Sequence, residues 1–422
     1  MSKKKLYLIT TTDERTWKFD RPVVFLGDWC RLYNRKHIWK NMDAVVSKPY
    51  GLEISKKNAD FINVKNLEEK FFPILCDLLN KHHLTEHNDK FWSILLGHWF
   101  RHFVNLLVNK VNTLENCLNS YEISGVTIYE NNDYSLATLD FKSAINAAND
   151  ERWNRVLNDN ILALFKNSNI SLEICKEQDN FDVFPGFLSQ VGVCKQSLRE
   201  NILNFCKKFY FKLSRRFVRK TDAFIISTYL PFKEEIKLEL ALGQWPQIWG
   251  RSKYEKIIKP NRLLRKNLKK KILCNSNIKI ENILCSLLFE LLPVNYLEGF
   301  KDLNKTVEQQ HWPSSPKFIF TSNNFHTDEI FKLYSAIKTE NSLKYYIGQH
   351  GNNYYTMKNR FPRIEEKIAD KFFTWGWKNN LSNFKPAFIF KTAGKKESKY
   401  NSKGGLLLVE TSLNLRLTTW NT

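Results

Sequence analysis

The chain has 422 residues, 43% of them hydrophobic and 14% aromatic, with a formal net charge of +22. That is enough to bury one large α/β domain or two smaller ones, and it excludes a disordered composition. The charge points to an anionic partner or to a lysine-rich solvated surface, and it carries no information about fold. Eight cysteines (Cys30, Cys76, Cys117, Cys175, Cys194, Cys206, Cys274 and Cys285) are scattered without a CxxC pair. Such spacing fits free thiols in a reducing cytoplasm rather than a zinc ribbon or a disulfide framework. The N-terminal stretch lacks the apolar core of a signal peptide, and no apolar run approaches the ~20 residues of a transmembrane helix.

Residues 6–10 and 22–26 predict two short strands, the second ending at Gly27. The stretch that follows interleaves Trp29, Arg31, Tyr33, Arg35 and Trp39. Rings that stack and guanidinium groups that pair with oxyanions suit a sugar or phosphate, and an amphipathic helix docked by its aromatics fits equally well. Residues 67–118 carry helical periodicity, with Pro73 near the first turn. His98 and His102 lie one turn apart there, but Trp99 stands where a zinc protease helix needs glutamate. Packing beside Trp99 and Phe103 is therefore the expectation. His82, His83 and His87 sit in polar sequence and are expected at a solvated surface.

Between residues 119 and 198, apolar runs at 126–129 and 170–174 alternate with helical pieces, and Pro185-Gly186 marks a turn. Residues 222–227 predict a buried strand, followed by a turn at Tyr229-Leu230-Pro231 and a helix over 234–242 stopped by Gly243. The most basic stretch, 251–273, sets Leu264, Leu268 and Ile272 in an apolar line among lysines and arginines. That is the pattern of a helix lying on an anionic surface, or of an exposed solvated helix. A further helix is predicted over 281–292.

A βαβ unit then emerges. Residues 318–320 form a strand that breaks into Thr321-Ser322-Asn323-Asn324, residues 328–339 a helix, and residues 345–347 a strand ending in Gln349-His350-Gly351. Open α/β sheets bind ligands past the carboxyl ends of their strands, which places His350 where such a fold does chemistry. Tyr229, following the strand at 222–227, should lie near the same edge. Residues 378–403 read as a polar linker, and residues 404–409 as a strand that either opens a new α/β unit or adds to the preceding sheet.

Five segments, LITTTDERTW, FLGDWCRLYNRKHIW, LALGQWPQIW, YIGQHGNNYY and DKFFTWGW, occur in this order. Through them the chain resembles a bacterial, Leptospira-type family of transferases. Its members are encoded in lipopolysaccharide and capsule clusters, often beside genes for nonulosonic sugars. The resemblance implies an α/β fold: the Rossmann-like N-terminal half of a GT-B type glycosyltransferase, with large helical insertions at about 67–118 and 250–310. The Rossmann-like domain would span residues 1–400. Residues 401–422 would hold only the first strand of a second, nucleotide-binding Rossmann-like domain that is largely missing.

It also implies transfer of a sugar from a nucleotide-sugar donor to a glycan or lipid-linked acceptor, with no separate cofactor, no metal and no nucleic acid. The location would be cytoplasmic, with peripheral contact to the anionic inner-membrane surface. His350 or Glu365 would serve as general base, since a histidine with pKa near 6.5 can accept a proton at neutral pH. Trp29, Arg31, Arg35, Tyr229, Gln244, Gln349, Gly351 and Asn352 would contact substrate. The chain departs from the family pattern after His350, where Asn352, Asn353, Tyr354 and Tyr355 replace a glycine-rich stretch. Two competing readings are an incomplete half-enzyme that binds acceptor without turnover, and a basic nucleic-acid-binding protein.

Overall fold

A computed structural model describes residues 5–130, 135–165, 170–175, 214–252, 254, 256–272, 277–352, 354, 363–378, 380–396, 404–405 and 407–409. Two five-stranded sheets organise the chain, and every strand pairing in both is parallel. The first comprises β1 (Leu6–Ile9), β2 (Val23–Phe25), β3 (Ala44–Val46), β4 (Ile123–Tyr129) and β5 (Ser171–Cys175), in the order β3-β2-β1-β4-β5. This is the order of a doubly wound sheet, with a switch point between β1 and β4. The second holds β6 (Phe224–Ile226), β7 (Ile319–Thr321), β8 (Tyr345–Gly348), β9 (Lys371–Thr374) and β10 (Phe384–Pro386) in simple sequential order.

The expectation of one Rossmann-like unit through residue 400 thus meets two parallel sheets by residue 386. Of the strand expected at 404–409, the described residues form none, and Leu407, Leu408 and Val409 are exposed. The turn at Pro185-Gly186 lies outside the described residues.

Alternation explains the second sheet. Phe224, Ile226, Ile319, Tyr345, Ile347, Phe372 and Phe384 point into the main core, while Ile225, Phe320, Tyr346 and Phe373 line the opposite face. Sequential parallel strands with right-handed crossovers put their connecting helices on one face. Accordingly α10 (Glu329–Glu340) and α11 (Ile364–Ile368) bury apolar residues in the main core. The other face is covered more thinly, by Leu238 and Leu242 at the end of α6 (Phe232–Ala241) and by Phe390.

The helical stretch predicted over 67–118 is a hairpin of α2 (Ile54–His83) and α3 (Asp89–Ser120), and Pro73 falls inside α2 rather than in its first turn. Asn88 caps α3 by accepting from Phe91 N–H at 2.9 Å. From Phe91 to Val108 nearly every position of α3 is buried, so this helix lies inside the protein rather than on its surface. It packs against α2, against α4 (Phe141–Ala147) and α5 (Glu151–Leu164) of the first half, and against α8 (Lys279–Leu291), α10 and α11 of the second. One hydrophobic core therefore joins both sheets.

A buried polar network adds a second joint. Lys332 Nζ donates to Glu329 (3.0 and 2.9 Å) and to Tyr296 Oη (2.9 Å), Tyr296 O–H donates to Glu329 (2.8 Å), and Glu329 also accepts from the Phe141 backbone (3.3 Å).

Two expectations are corrected here. The apolar line Leu264, Leu268 and Ile272 of α7 (Arg262–Ile272) packs into the core, and Arg265 on the same helix is buried. Arg265 pairs with Glu298 and donates to the carbonyls of Phe289 and Leu292, at and just past the end of α8. That helix has no apolar face left for a membrane. His83 and His87 are half-buried rather than free on the surface. The α2–α3 turn, reversed at Leu84 (φ 58), folds them onto Phe300 and Phe91, with ring centroids 4.3 and 3.6 Å apart.

His98 and His102 do pack in the core, as expected, and burial pushes His102 down to about 4 from 6.5. Its folded pKa is depressed, so the unfolded chain takes up the proton first. Stability present above pH 6.5 is lost as pH falls toward 4, by roughly 3 kcal/mol for this group. We expect the urea midpoint to fall less steeply between pH 7 and pH 5 in His102→Asn than in the wild type. Parallel pH dependences would refute the assignment.

Candidate functional site

The site forms where β6, β7 and β8 end. β8 closes on Gly348, where a Cβ would overlap the Phe390 ring and Ser322 Oγ, so only glycine lets the strand pass. Gln349, buried, then ties the loop down. Its Oε1 accepts from Trp375 N (2.8 Å) and Trp377 Nε1 (2.7 Å), while its Nε2 donates to the Gly351 carbonyl (2.6 Å). Two N–H donors on one atom fix the orientation of the amide.

Next to this clamp, Ser227 (φ 50) and Tyr229 (φ 64) follow β6 in the left-handed region. Each costs of order 1–2 kcal/mol in a side-chain-bearing residue, and such outliers gather at functional sites. Their placement brings the Tyr229 ring edge-to-face with His350, centroids 5.4 Å apart. Sequence placed these two at one edge, and the structure puts them in contact. His350 is reachable from solvent, but the surrounding chain partly desolvates it and lowers its pKa. The nearby positive charges of Lys391 and Arg363 act in the same direction, and Glu365 opposes them. On balance these surroundings favour the neutral form of the imidazole. Lys391 lies over the Tyr229 ring at 4.7 Å, and Arg363 over the Tyr354 ring at 4.0 Å.

Behind the loop sits a buried polar cluster. Glu365 on α11 accepts from His98 Nε2 (3.2 Å) and from Tyr354 Oη (2.7 Å). Burial disfavours its charge, but these two partners outweigh burial and hold the carboxyl below the ordinary range. Burial lowers His98 and the carboxylate opposes it; the ring donates through Nε2 to Glu365. The helices meet here because Gly97 lacks a side chain: a Cβ would sit 3.0 Å from Ile364 Cγ2. His326, just past β7, stands edge-to-face to His98 at 5.2 Å and to Phe141 at 5.3 Å. The carboxyl edge of the second sheet thus touches a segment that follows β4 of the first. Glu365 and Glu366 are both buried, although they stand side by side in a charged run.

The other sequence candidates separate. Trp29, Arg31 and Arg35 lie past β2, at the carboxyl edge of the first sheet, in 3-10 turns rather than a long amphipathic helix. Arg31 pairs with Asp28 and lies over the Trp39 ring at 4.9 Å, and Arg35 pairs with Glu14 at 2.8 and 2.6 Å. Gln244 is buried, bonding the Ala223 N–H (2.8 Å) and C=O (3.0 Å) at the amino end of β6, the edge opposite His350. Gly351 has open space where a Cβ would stand, and Asn352 is exposed. Sequence reasoning missed His326, Arg363, Lys391 and the pairing of His98 with Glu365. His326 could have been found from its place just past a strand, but a partner 267 positions away leaves no local signal. Among the described residues, no group of His, Cys, Asp or Glu is arranged to hold a metal ion, and no helix is long and apolar enough to cross a membrane.

Replacing Gln349 by Leu would remove the shared acceptor of the part-buried Trp375 and Trp377 donors. We expect a loss of about 2–4 kcal/mol, read as a fall in the urea midpoint. A change within ~0.5 kcal/mol would mean that the clamp is dispensable.

Residues 6–421 match the model of the LIC12162 family transferase. Comparison with curated proteins and with solved structures gave no match. With all but the first few residues and the last covered, the chain belongs to the LIC12162 family of transferases.

Proposed function

We propose that this transferase moves a sugar, such as a nonulosonic acid, from a nucleotide-activated donor to a hydroxyl of a surface-glycan acceptor, with His350 as general base. The observation that carries the reading is an imidazole at the carboxyl edge of a parallel sheet, reachable from solvent, near Arg363 and Lys391, whose charges help to hold its pKa down. As the acceptor oxygen bonds to the anomeric carbon, His350 takes the hydroxyl proton. The bond from that carbon to the phosphate oxygen breaks, and the nucleotide leaves as an anion that Arg363 and Lys391 attract. His350 suits the base role better than Glu365, whose two oxygens are buried and bonded. Two parallel sheets sharing one core support a GT-B-like arrangement. The net charge of +22 favours an acceptor displayed at an anionic membrane surface, with charge alone rather than an apolar helix face making the contact.

The test is calorimetric titration with cytidine, uridine and guanosine nucleotides and their sugar conjugates, paired with a transfer assay. One nucleotide class should bind. His350→Ala should keep most of that binding and lose about 10²–10⁴-fold in kcat/KM. Failure of every class to bind, or wild-type turnover by His350→Ala, would overturn the proposal.

A further inference from the structure

The chain carries a buried carboxylate held from two sides, and one of those sides is the loop that bears His350. We propose that Glu365 is a positioning residue: clamped by His98 of α3, it tethers Tyr354, four positions after His350, and so fixes the loop that presents the imidazole. The inference rests on His350 being the working base, and it adds three residues that act through it.

Four observations carry it. Both Glu365 oxygens are engaged, Oε2 by His98 Nε2 at 3.2 Å and Oε1 by Tyr354 Oη at 2.7 Å, and all three residues are buried. Gly97 lets α11 approach α3 at this level, so the clamp is built into the contact of two helices. Arg363 lies over the Tyr354 ring at 4.0 Å and reaches Glu365 Oε1 at 3.9 Å, closing the tether on its outer side. Gln349, immediately before His350, is fixed to the Trp375–Trp377 turn. The loop is thus pinned before His350 by Gln349 and after it by Tyr354, leaving His350, Gly351 and Asn352 between two fixed points.

The charged and titratable neighbours of His350 are Tyr229, Lys391, Arg363, Glu365 and His326. Glu365 is the one anion among them and the one that raises the His350 pKa. Removing its charge therefore moves the His350 titration to lower pH, while removing only the Tyr354 hydroxyl leaves the charge in place. A merely structural Tyr354 would leave the contact between the His350 and Tyr229 rings unchanged.

The experiment follows the titration of His350 by NMR in ring-labelled full-length protein, alongside the pH profile of transfer, in Glu365→Gln and Tyr354→Phe. Glu365→Gln should shift the His350 titration, and the ascending limb of kcat/KM, to lower pH, and reduce kcat roughly ten- to a hundredfold with KM little changed. Tyr354→Phe, the milder change, should weaken the NOE between the His350 and Tyr229 rings and lower kcat without that titration shift. An unmoved titration in Glu365→Gln, or an unchanged NOE in a folded Tyr354→Phe, would overturn the positioning role. The NMR readouts need no activity. If His350→Ala were fully active while they moved as described, the proposed reaction would fall and the positioning would stand.

Discussion

The structure depends on burying α3 on every side. From Phe91 to Val108, about 27 Å of its length, nearly every position of this helix is buried, and one sheet with its flanking helices does not supply all of that cover. Two sheets are needed, and each contributes its helices: α4 and α5 from the first, α8, α10 and α11 from the second. The Lys332–Glu329–Tyr296 network seals the same boundary with buried charge. Such a network contributes little net stability while it is intact, but losing one partner is expensive. It penalises any shift of one half against the other.

This scaffold explains why chemistry-bearing groups collect where they do. Parallel strands deliver their carboxyl ends to one edge, so Tyr229, His326 and His350 come from three different strands to one place. The helix behind supplies what the strands cannot, a buried partner for a buried carboxylate. His98 is thus both a core residue and part of the site's support.

Much of the second sheet was legible in sequence, because β6, β7 and β8 are short apolar runs that end abruptly in polar or glycine-containing loops. That Tyr229 and His350 share one edge followed from that grammar, and their ring contact did not. The number of sheets did not follow. β3 is only three residues long and half-covered, and β9 and β10 follow each other with no helix between them, so neither announces a strand by periodicity. The apolar line of α7 suggested a surface helix because its hidden arginine, Arg265, looks like any other basic residue until Glu298 and two carbonyls surround it. His83 misled for the same reason, since the aromatic that covers it, Phe300, comes from far along the chain. For Arg265 and His83 the signal lay in a partner distant in sequence.

The position of α3 in the chain has a consequence for synthesis. The helix is encoded between β3 and β4, yet most of the second half's share of its surface, α8, α10 and α11, leaves the ribosome more than a hundred residues later. During that interval the nascent first half holds an apolar flank with no cover. At about 5–20 residues per second that is a matter of several seconds or longer. The packing around α3 is completed only once α10 has been made, and until then Trp99 and its neighbours lack part of their cover.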